Sequence, residues 1–103
     1  MQPLRVETLS VTEIQSFALA ELADAMLEVL HAIPELGREE ISARGDLCAV
    51  RVAWRRKTGR FRDADDYEAS LEEARAMVDV LRIRRATLRD IKSILQTACK
   101  TIA

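Results

Sequence analysis

Six positive side chains fall within twelve residues of this chain: Arg51, Arg55, Arg56, Lys57, Arg60 and Arg62. No acid lies among them, and Trp54 and Phe61 are interleaved. Guanidinium and ammonium groups pair with phosphates or carboxylates, and an aromatic face can stack on a nucleobase. The segment therefore has the chemistry to hold a nucleic acid or an acidic protein surface. A plainer reading stands beside these. Cations are favoured at the C-terminal end of a helix by its dipole, and the two rings would then belong to the core. Six acids follow at once (Asp63, Asp65, Asp66, Glu68, Glu72 and Glu73), and they would repel a phosphate backbone. A second basic cluster, Arg82, Arg84, Arg85, Arg89 and Lys92, comes later and could pair with acids of the same chain, of a second copy, or with nucleic acid.

Little else suggests a reaction. His31 is the only histidine. It falls on the polar side near the end of a predicted helix, where the dipole stabilises a surface imidazole. The acids from 63 to 73 do not match a calcium loop, which needs alternating oxygen ligands and a glycine at the sharp turn. Carboxylates are in any case favoured in the first turns of a helix. Cys48 and Cys99 sit in apolar stretches without a CxxC pattern and read as buried free thiols. Phosphate-loop, dinucleotide, zinc-protease and serine-hydrolase motifs are missing. The expectation is no catalytic residue, no metal and no cofactor.

The elements that carry these residues read as helices. Only three Gly and two Pro occur in 103 residues, too few turn-makers for a many-stranded β fold. Residues 1–9 read as an arm, with a short extended piece. Ser10 and Glu13 have the spacing of a capping box, so a helix should start there and run to Ile33, ahead of Pro34. Its apolar side carries Leu22, Ala25, Val29 and Ile33, while Phe17 and Leu27 stray toward the polar side as a second contact face. Leu36-Gly37 reads as a turn, residues 38–44 as a short helix ended by Gly45, and 46–57 as another helix stopped by Gly59. The 47–54 stretch also tolerates a strand. Asp63 or Asp65 can cap the last helix. There the positions Tyr67, Leu71, Ala74, Val78 and Leu81 follow a heptad seam, which Arg85 and Lys92 interrupt. Unbroken, residues 64–102 would span about 57 Å. A bend near 84–87 would make it two helices.

Four aromatic residues in the whole chain imply an aliphatic core of helix against helix. The expected fold is therefore all-α: a three- or four-helix bundle with a long C-terminal helix, residues 10–103 forming one domain after the arm. Net charge is −1, unevenly spread. Residues 1–46 carry nine acids and three bases, and residues 47–103 carry thirteen bases and eight acids. The two parts can attract each other within a chain or between copies. Without a leader or a membrane span, a reducing cytoplasm is expected.

Two short pieces, Ala32-Ile33-Pro34-Glu35 and Glu68-Ala69-Ser70-Leu71-Glu72 with Met77, are similar to stretches of the TraM-type quorum-sensing antiactivators. Those are small helical proteins that bind and block a transcription activator. The similarity covers under a fifth of the chain, and the stretch between the pieces is longer here; no residue role is carried over. The expected function is non-enzymatic: a regulator, adaptor or inhibitor that binds a partner protein and forms a homodimer. Its contacts would be Phe17 and Leu27, or the Met77, Val80 and Ile83 side of the last helix. The cations at 51, 55, 56, 57, 60 and 62 would steer the encounter. The alternative is a nucleic-acid-binding regulator using residues 51–62 and 82–92.

Overall fold

The structure, a computed structural model, describes residues 3–102, so the first two residues of the expected arm and the last residue of the domain lie outside the described residues. Its elements are a 3-10 turn at Arg5–Thr8, α1 at Val11–Gln15, α2 at Leu19–Arg55 and α3 at Ala64–Ile102. No strand occurs among the described residues, and 47–54 is helical. The all-α expectation with a long C-terminal helix holds.

The boundaries differ from the sequence expectation in instructive ways. The capping box forms as read: Glu13 N donates to Ser10 Oγ at 3.1 Å, and Ser10 N donates to Glu13 Oε1 at 3.2 Å. The helix it starts lasts only five residues. The chain restarts at α2, where the carboxylate of Glu21 accepts from Ala18 N at 3.0 Å. That is half a capping box, and its N-cap residue, Ala18, has no side-chain acceptor to advertise it. Conversely, the expected breaks after Ile33, at Gly37 and at Gly45 do not occur: α2 runs unbroken for 37 residues with Pro34 inside it. An internal proline costs about 3 kcal/mol and leaves the carbonyl four residues earlier without its amide. Pro34 sits on the exposed side, where water can reach the Leu30 carbonyl, while Ala32 and Leu36 on either side are buried and hold the helix in place. The last helix is one helix of 39 residues, passing straight through Arg85 and Lys92, both half-buried.

The chain divides into two compact units, Met1–Leu36 with Ile83–Ala103, and Gly37–Arg82. In the first, the terminal unit, Leu22, Ala25, Val29, Ala32 and Leu36 of α2 are buried, as are Leu88, Ile91 and Leu95 of α3. Val6 of the 3-10 turn and Ile14 of α1 are buried with them, so the arm is helical and packed rather than extended. In the second, the loop unit, Ala43, Val50, Leu71, Val78 and Leu81 are buried. Glu40 is buried there too, with Arg44 Nε 3.7 Å from its carboxylate.

Leu88 is fully buried, so Leu88→Ala should lower the free energy of urea unfolding by about 2–5 kcal/mol. Leu88→Met, which keeps the volume, should cost less than about 1.5 kcal/mol.

Candidate functional site

The α2–α3 loop brings the first basic cluster and three of the four aromatic residues together. Helix α2 ends in a Schellman arrangement: Lys57 N donates to the Trp54 carbonyl at 3.2 Å, and Thr58 N donates to the Ala53 carbonyl at 3.3 Å. The residue in the left-handed conformation is Lys57, with φ of 52°, a place usually held by glycine. Gly59, read from sequence as the stop, lies two residues later at φ of 82°. Helix α3 is then capped by Asp63, whose Oδ1 accepts from Asp66 N at 2.8 Å. Asp66 in turn accepts from Arg62 N at 3.0 Å and lies 3.8 Å from the Arg62 guanidinium.

The rings pack on one another. Trp54 and Tyr67 stack at 4.7 Å with planes 8° apart. Phe61 meets Trp54 edge-on at 6.3 Å and Tyr67 at 5.5 Å. The Arg60 guanidinium lies over Phe61 at 5.3 Å from its centroid. Sequence reading placed Tyr67 in the helix seam and missed its part in this cluster, because the stack joins residues across the loop. A cleft of about 500 Å³ opens here, lined by Trp54, Arg55, Lys57, Gly59, Arg60 and Phe61. Arg55, Arg56, Lys57, Arg60 and Arg62 are exposed and Arg51 is half-buried. Of the six, only Arg62 has an ion pair among the described residues.

The second basic cluster is arranged differently. Arg82 pairs with Asp79 at 3.4 Å. Arg84 forms a two-pronged bond with Glu7, Nη2 to Oε1 at 2.7 Å and Nε to Oε2 at 2.9 Å. The two side chains are only 12 and 5 % exposed, and the pair ties the 3-10 turn to α3 within the terminal unit. The Arg84 guanidinium holds the Glu7 carboxyl below its ordinary range, against an opposing push from burial. A contact across 77 positions leaves no local signal in the sequence.

The other predicted contact residues separate. Phe17 is half-buried in a small cleft with Arg5, Val6 and Leu9, whereas Leu27 is exposed. Met77 and Val80 are exposed in the loop unit, and Ile83 in the terminal unit. An open apolar cleft of about 460 Å³ lies between α1 and the end of α3, against Val11, Ile94, Ala98 and Ile102. His31 is exposed, and both cysteines are free, Cys48 being exposed rather than buried. The Cys48 correction follows from α2 being continuous, which turns position 48 to the same outward side as the exposed Ile41 seven residues earlier, both in the loop unit. Among the described residues no three His, Cys, Asp or Glu side chains converge to hold a metal ion, and no helix is long and apolar enough to cross a membrane. Comparison with protein-family models, curated proteins and solved structures finds no match.

Two measurements check this geometry. Lys57→Gly relieves a left-handed side chain and should raise stability by about 1 kcal/mol in chemical denaturation. The Glu7 pKa is depressed in the folded state, so its contribution is complete above the ordinary glutamate value of about 4.3 and is lost as pH falls through the lowered folded value. The stability difference between the natural chain and Glu7→Gln should therefore grow with rising pH and level above that ordinary value.

Proposed function

We propose that this chain is a small non-enzymatic protein-interaction module of the cytoplasm, a regulator, adaptor or inhibitor that acts by binding, and that it pairs with a second copy of itself. The outward side of α2 supports this most strongly. Leu19, Leu27 and Leu30 are 59, 56 and 47 % exposed, and Ala20, Ala23 and Pro34 are exposed among them. Leu27 is two residues from the buried Val29, about 200° around a helix of 3.6 residues per turn. The open stripe thus points away from Leu22, Val29 and Leu36. A helix apolar on opposite sides suits an inner position between two layers.

In the terminal unit α3 and the N-terminal segment supply one layer. A second copy supplies the other in this reading, and two α2–α3 pairs set back to back make a four-helix bundle. Charge favours that occupant. Asp24, Glu28 and Glu35 stand exposed on α2, and Arg89 is exposed on α3, none with an ion pair among the described residues. One chain presents both signs, so α2 of one copy laid against α3 of the other brings opposite charges together.

Light scattering after gel filtration tests this directly. The natural chain should elute at twice 11.6 kDa, and Leu27→Glu combined with Leu30→Glu should return it to a monomer with unchanged far-UV helicity. A natural chain that stays monomeric at the highest concentration it tolerates in solution would remove the self-association.

A further inference from the structure

We propose that the α2–α3 loop is a binding site for single-stranded nucleic acid, with phosphates held by Arg55, Lys57 and Arg60 and one base taken into the cleft beside Trp54 and Phe61. This site uses none of the α2 residues invoked for pairing and stands independently of that reading. Three observations carry it.

The first is that the cations lack carboxylate partners, Arg60 having only the face of Phe61 beside it. Arg51, Arg55, Arg56, Lys57 and Arg60 have no ion pair among the described residues, whereas Arg82 and Arg84 are paired. Four of the five are exposed within six positions of one another, a local density of positive charge of the kind that holds a single-stranded backbone. The second is that two of the nearby acids are spent locally. Asp63 caps α3, and Asp66 is held by the backbone and guanidinium of Arg62. Their charge faces the positive end of α3, which reduces the repulsion that their sequence position suggests.

The third is the cleft itself. Its volume of about 500 Å³ is ample for one nucleotide, and its lining joins aromatic rings to three cations. Trp54 remains 38 % exposed although Tyr67 covers one face. A side chain grown from Gly59 would meet nothing within 4 Å, so a ligand can approach the loop backbone there. A purely acidic peptide would use the cations and leave the ring-lined cleft empty, and a duplex keeps its bases stacked away from it. Single-stranded nucleic acid uses both.

Trp54 is the only tryptophan, so its fluorescence reports on the cleft without a label. The 103-residue chain would be titrated with fifteen-residue oligo-dT and oligo-U, with a duplex of equal length, and with polyaspartate of equal charge, at about 50 and 200 mM salt. The expected result is Trp54 quenching by the single strands, with affinity falling roughly 20- to 50-fold between the two salts for three or four phosphate contacts. A chain carrying Arg55→Gln, Lys57→Gln and Arg60→Gln together should lose at least tenfold in affinity with a shallower salt slope. These side chains are exposed, and matching circular dichroism would confirm the fold. Absence of binding, retention of affinity in the triple variant, or equal binding of polyaspartate or duplex would each overturn the proposal.

Discussion

In the terminal unit helix α2 carries apolar residues on two opposite sides, a buried row and an exposed one, and much of the structure follows from that. Its inward row must be buried, and α3 is built to bury it: α3 is apolar along one side and charged along the other. A partner helix can cover only one side of its neighbour, so the outward leucines stay in water. The same excess explains how α2 survives Pro34, Gly37 and Gly45. Each local penalty is a few kcal/mol at most, and burial outweighs them: Leu22, Val29 and Leu36 are buried in the terminal unit, and Ala43 and Val50 in the loop unit.

Polar groups then fix details that apolar contact leaves loose. Glu7 and Arg84 select where the N-terminal segment lies on α3, since a two-pronged carboxylate–guanidinium bond tolerates little sliding. The ends of the long helices are finished by backbone and aspartate contacts within a few residues, which leaves Arg55, Arg56 and Lys57 without an ion pair among the described residues. Glu40 is a carboxylate in an otherwise apolar row, beside Arg44. A carboxylate taken out of water contributes little net stability even when paired, because desolvation offsets the attraction.

Helix content was legible in the sequence because it depends on local chemistry. The Ser10–Glu13 box and the gly- and pro-free run of α3 are both features of neighbouring residues. The helix boundaries were less legible. Pro34, Gly37 and Gly45 look like punctuation, and only burial on either side of them keeps α2 whole. Gly59 looked like the stop for α2, but the chain turns earlier, at a lysine, where the backbone bonds to Ala53 and Trp54 decide the matter. Of the candidate sites, the basic segment and two of its rings were readable. The third ring and the Glu7–Arg84 pair were not, because both arise from contacts that the fold alone creates.

The distance in sequence between Glu7 and Arg84 has a consequence during synthesis. At roughly 5–20 residues per second, the ribosome completes Arg84 about 4–15 s after Glu7. Throughout that interval Val6 and Ile14 lack the α3 surface that buries them, and both apolar sides of α2 are bare. Until α3 has been made, the nascent chain thus presents more apolar surface than the folded one.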